Sequence, residues 1–122
     1  MAKCEEGYLC DVCGEDVADL VESSLYLRYV IGDIHPEVLH VQRERHLRCD
    51  PLLAQFIDHP EFPVVVVDGA FGRPQLDAEF VAARVALVTE GWLRLRELSG
   101  SSLSLLEYPL PAVLQRFSGS GS

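Results

Sequence analysis

Positive charge is scarce in this chain: 10 Lys and Arg stand against 19 Asp and Glu in 122 residues, a formal net charge of -9 at pH 7. A general grip on a phosphate backbone needs clustered cations and a positive field, so nucleic acid is not an expected partner. Long apolar runs are also missing. No stretch approaches the roughly 18 uninterrupted apolar residues that a membrane span requires, and no apolar N-terminal segment flanked by basic residues marks a signal peptide. A cytoplasmic protein without a membrane segment is therefore expected. The fingerprints of common enzymes are absent too: there is no Gly-rich phosphate loop, no Gly-x-Ser-x-Gly elbow and no Pro-Cys-x-x-Cys deaminase motif. The chain does not read as an enzyme of those classes, and it has no internal repeat. Cysteine is sparse, at four residues. In a reducing compartment so few thiols are metal ligands or free rather than a disulfide framework.

What is present describes a folded domain. The composition is 48% hydrophobic and 24% charged, that of a globular chain. Its length suits one domain, expected over residues 1–117, small enough that a metal staple would matter. The Ser-Gly stretch at 118–122 reads as a flexible tail.

Two pairs of side chains dominate the chemistry. Cys10 and Cys13 stand in Tyr8-Leu-Cys-Asp-Val-Cys-Gly14, and His46 and Cys49 in Arg45-His-Leu-Arg-Cys-Asp50. Each pair has the two-residue gap that turns both side chains toward one ion, and together they supply three thiolates and an imidazole, a closed tetrahedral set for one zinc. A closed set leaves no position for water, so a structural zinc is expected rather than a catalytic one. Cys4 is the spare, in an acidic setting that suggests a free thiol.

The other candidates have plainer readings. His35, His40 and His59 share no spacing that would fix them together, and solvated or locally bonded rings are expected. Asp68 reads as half of an Asp-Gly turn rather than a catalytic carboxylate. Arg43, Arg45 and Arg48 crowd the second pair, while residues 1–22 hold seven acids against Lys3 alone. Those arginines either grip an anion or answer the acidic segment across the metal site, and the second is preferred.

Gly14, after the second Cys, permits the tight turn of a knuckle. Residues 25–31 are dense in aromatic and branched side chains and are followed by Gly32-Asp33. With Val38–Gln42 they predict a β-hairpin over 25–42. Leu47, Leu52, Leu53, Phe56 and Ile57 mark one face of a helix from near His46 to before His59-Pro60, with Pro51 in its first turns. Knuckle, hairpin and a helix carrying the last two ligands is an order that resembles the treble-clef zinc finger, over residues 8–58. Treble clefs serve as binding modules, ribosomal elements, nuclease cores and structural braces, so the resemblance implies a bound metal and little more; it departs from the commonest pattern in having His for one Cys.

In the second half, Val64–Val67 reads as a strand buried on both faces. Residues 77–98 read as a long helix with a seam of Val81, Val85, Val88, Trp92 and Leu95. Leu103–Leu106 and Leu110–Phe117 are apolar pieces punctuated by prolines that can wrap a core. Phe80, Leu87 and Leu93 flank the seam, so the helix is expected to be covered on several sides, in part by a protein partner or a second copy.

The sequence reading is thus an α+β zinc-binding domain acting through protein contacts. The alternative is a thiol redox enzyme that resembles thioredoxin, with Cys10 and Cys13 as redox thiols and Pro63, the strand and the long helix in thioredoxin order.

Overall fold

The computed structural model describes residues 9–17, 19–99 and 101–120, with backbone only for His40 and 117–120. Cys4 lies outside them.

The fold is helical. Helices α1 (Ser24–Val30), α2 (Pro51–Ala54), α3 (Ala78–Ser99) and α4 (Pro111–Ser120) alternate with 3-10 turns at Leu20–Glu22, Pro36–Val41, Leu47–Cys49, Arg73–Gln75 and Leu105–Glu107. Among the described residues there is no β-strand, only the isolated antiparallel bridges Leu9–Asp16 and Ser23–His46. The expected α+β class is therefore corrected.

The corrections have local causes. Residues 24–30 form a helix because Ser23 caps it, its hydroxyl accepting the Tyr26 N–H at 3.0 Å. Ser24, Leu25, Tyr26, Leu27, Tyr29 and Val30 are all buried, so almost no wet face remains to impose a helical period on the sequence. The second half of the expected hairpin is a 3-10 turn started by Pro36 and capped by His35, whose Nδ1 accepts the Glu37 N–H at 3.1 Å. Without the hairpin, the treble-clef order is not reproduced. The expected helix from His46 onward is broken in two at Asp50, with φ -130° and ψ 67°. The ring of Pro51 disfavours helical geometry in the residue before it. Val64–Val67 is not a buried strand either: Val64 is 87% exposed and Val66 76%. No neighbouring strand forms among the described residues to pair with this run, and only Val65 and Val67 are half-buried. The chain turns directly after Asp68, where Gly69 takes φ +93° and the Gly72 N–H donates to the Gly69 carbonyl at 3.1 Å.

The long helix matches its expectation closely. α3 buries Val88, Gly91, Trp92, Leu95 and Leu98 and packs against both α1 and the Leu20–Glu22 turn. At the crossing, a Cβ on Gly91 would run into Ile31 Cγ2 and stand 3.0 Å from Leu27 Cδ1. Gly91→Ala should gain up to ~1 kcal/mol in helix propensity and lose about 1–3 kcal/mol by overpacking. The expected result is a net loss, read as a lower urea midpoint at unchanged slope. A more stable variant would mean the two helices can move apart freely.

The C-terminal segment wraps the core as expected, although its last part is a helix rather than short pieces. Leu110 N–H donates to the Val30 carbonyl at 3.0 Å, Arg94 donates to the carbonyls of Tyr108 and Glu107, and the Tyr29 hydroxyl donates to Leu105 O at 2.9 Å. Burial, then the neighbouring Tyr108, pushes the Tyr29 phenol above its ordinary value of 10.0. The folded chain then keeps this proton at pH values where the unfolded chain releases it, so stability falls as pH climbs past 10. Tyr29→Phe should lose about 1 kcal/mol near neutrality with the Leu105 bond and should flatten the alkaline decline. Urea titrations from pH 7 to 11 check both; an unchanged alkaline slope would remove Tyr29 as its source.

α3 is not covered on every side: Phe80 is 51% exposed and Leu93 38%. No helix among the described residues is long and apolar enough to cross a membrane.

Candidate metal centre

The first pair of ligands sits in a tight turn. Gly14 N–H donates to the Cys10 carbonyl and Cys10 N–H to the Glu15 carbonyl, both at 2.9 Å, and Gly14 takes φ +78°, a conformation that favours glycine. The second pair brackets the Leu47–Cys49 turn, with His46 as its N-cap residue and Cys49 N–H donating back to the His46 carbonyl at 3.0 Å.

The chain folds these turns onto one another. The ligand atoms of Cys10, Cys13, His46 and Cys49 all lie within 4.8 Å of each other, and together they could hold a metal ion. All four expected site residues are therefore in one place. In a tetrahedral zinc shell, bonds of ~2.0–2.3 Å set ligand atoms roughly 3.5–3.8 Å apart. Cys13 Sγ and His46 Nδ1 are 3.4 Å apart, close to that spacing.

The imidazole is aimed by its other nitrogen. His46 Nε2 lies 2.9 Å from the Asp16 carbonyl, which can only accept, so Nε2 carries the proton and the Nδ1 lone pair faces the sulfurs. The thiols are unlike one another. Burial works to raise Cys10, but donation from the N–H groups of Cys13, His46 and Val12 outweighs it and brings the thiol down to about 6. Cys49 is pushed up to about 11, first by burial and then by its neighbours Cys10 and Cys13. Thiolates packed this closely oppose one another's ionisation, and a dication among them would remove that opposition.

No family model, curated protein or solved structure matches this chain. What the centre can do follows from its own donors. Three soft sulfurs and one imidazole in a compact set could hold a metal ion.

The surrounding residues were not legible as part of the site. Buried Glu44 accepts the Ser23 hydroxyl at 2.8 and 2.9 Å and the Arg45 N–H at 2.9 Å, which ties the second ligand pair to the cap of α1. Ser24 Oγ donates to Asp50 at 2.6 Å, and Ser24 N–H to the Arg45 carbonyl at 2.8 Å. The contacts of Ser23 and Ser24 join residues 21 or more positions apart, and no spacing signals them.

The arginines answer acids of the first segment. Arg45 grips Asp11 with two bonds, at 2.8 and 3.0 Å, and this hydrogen bonding holds the Asp11 carboxyl below its ordinary value. Arg48 stands 3.8 Å from Glu15 and 3.7 Å from Glu22. Arg43 adds its charge near Asp11. The remaining histidines are locally engaged where described: His35 caps its turn, and His59 accepts the Glu61 N–H while its ring lies against Trp92.

Proposed function

We propose that one zinc ion, held by Cys10, Cys13, His46 and Cys49, braces this protein, and that the protein works as an adaptor or accessory factor through contact with another protein chain. The observation that carries the zinc reading is the convergence of the four ligand atoms with His46 Nδ1 turned among the sulfurs. A closed donor set favours bracing over chemistry. The ligand arrangement, two from a Cys-x-x-Cys turn and two from the start of a helical segment, is similar to that of a treble clef even though the hairpin is absent.

Support for an adaptor role is the apolar surface near the start of α3. Phe71 (68% exposed), Phe80 and Leu52 rim a cleft of about 470 Å³ also lined by Phe56 and Leu76. Contiguous exposed apolar surface is a mark of interaction sites. The thioredoxin alternative has no observation in its favour, because the strand it needs before the long helix does not form among the described residues.

Metal analysis of protein purified anaerobically is the test. One zinc per chain and no reducible Cys10–Cys13 disulfide are expected; less than half a zinc would overturn the reading. Salt-sensitive submicromolar binding of DNA or RNA, lost on replacing Arg43 and Arg48, would replace the adaptor role with a nucleic-acid one.

A further inference from the structure

We propose that Cys13 is an oxidation site, at which a hydroperoxide joins Cys13 to Cys49 and so dismantles the zinc centre. The proposal rests on the zinc reading above. Its basis is the unequal openness of the ligands. Cys10 and His46 are buried, Cys49 is half-buried, and Cys13 is exposed, so Cys13 is the ligand residue most open to solvent. All three sulfurs lie within 4.8 Å of one another, within reach of a disulfide after a modest side-chain shift. Cys10 is the sulfur least free to move: its Sγ accepts the N–H groups of Val12 and His46, each at 3.4 Å. Cys49 is thus the available partner.

The chemistry is a two-electron oxidation. The Cys13 thiolate attacks one peroxide oxygen, the O–O bond breaks, and the departing oxygen leaves as an alcohol (water, for hydrogen peroxide) after taking a proton from solvent. Cys13 is now a sulfenic acid. The Cys49 thiolate attacks its sulfur, the S–O bond breaks, and hydroxide leaves and is protonated to water. Two thiolates have been oxidised and one hydroperoxide reduced. Only Cys10 and His46 then remain as ligands, too few to retain zinc, while the new disulfide still links the Cys10–Gly14 turn to the Leu47–Cys49 turn. Occupancy of the centre thereby reports peroxide.

The test uses the full chain with Cys4→Ser, so that every thiol counted belongs to the centre. Zinc is measured first, and then a small excess of hydrogen peroxide is added while a chromophoric chelator follows zinc and peptide mapping locates disulfides. One zinc released per Cys13–Cys49 disulfide is expected. Less than half a zinc at the outset overturns the metal reading and this proposal with it. A full zinc that is retained after oxidation, or a Cys10–Cys13 disulfide in its place, overturns this proposal alone. Cys49→Ser should stop at a sulfenic acid trapped by dimedone on Cys13, and Cys10→Ser should still form the Cys13–Cys49 bond even if its metal is lost. Dimedone labelling first on Cys10 would defeat the assignment of Cys13.

Discussion

Cys49→Ser is expected to abolish zinc binding and to lower the thermal and urea midpoints sharply. Structural zinc contributes on the order of 10 kcal/mol of apparent binding free energy, comparable with the ~5–15 kcal/mol total stability of a domain this size. Few other strong ties hold the first segment to the second. The Asp11 N–H donates to the Glu44 carbonyl at 2.9 Å, His46 Nε2 donates to the Asp16 carbonyl at 2.9 Å, Arg45 bonds Asp11, and the two Arg48 ion pairs are longer and exposed. Exposed ion pairs are each worth about 0–1 kcal/mol, too little to replace a metal. Chelation of the wild type should reproduce the variant, because the variant removes the metal rather than a packing group: Cys49 is only half-buried. Circular dichroism melts beside metal analysis decide it. A variant that melts with wild type would mean that the four residues cluster without a bracing ion.

Trp92→Ala should be the most damaging substitution in the helical core, at about 3–5 kcal/mol. Trp92 is 7% exposed and ties α3 to the loop at residues 59–62. Its ring meets Phe62 edge-on at 5.3 Å and His59 at 5.2 Å, and Arg96 lies 5.1 Å from its centroid. Thr89, one turn earlier on α3, accepts the Asp58 N–H at 2.9 Å and donates to the Phe56 carbonyl, so residues 56–62 lie along this helix. Removing the indole leaves a cavity between helix and loop that the irregular segment after Phe62 cannot fill in an ordered way. Urea unfolding followed by circular dichroism should show the loss, with zinc content near one in the folded protein. A loss under 1 kcal/mol would show that the loop closes over the gap. Leu93→Glu, one residue along but 38% exposed, should stay within about 0.5 kcal/mol.

The cluster of Cys10, Cys13, His46 and Cys49 and the long helix were both readable from residues alone, for different reasons. Ligand spacing is a local property: Cys-x-x-Cys and His-x-x-Cys each bring two side chains together within a single turn, whatever the rest of the chain does. α3 was readable because a helix of 22 residues with one packed face repeats its apolar pattern several times over. The turn signalled by Gly69 and the local bonding of His35 and His59 were readable for the same local reason. Residues 25–31 were not, since a short segment buried on nearly every side shows the same apolar run whether it is helix or strand. Residues 64–67 failed in the opposite way. Their branched side chains favour a strand, but a strand exists only where a second one pairs with it, and no such partner forms among the described residues. Tertiary structure alone decided that Glu44 would meet Ser23, that Asp11 would take Arg45, and that Gly91 would let α3 approach α1. Each depends on which distant segments meet, and that is set by summed packing over the whole core rather than by any short stretch of sequence.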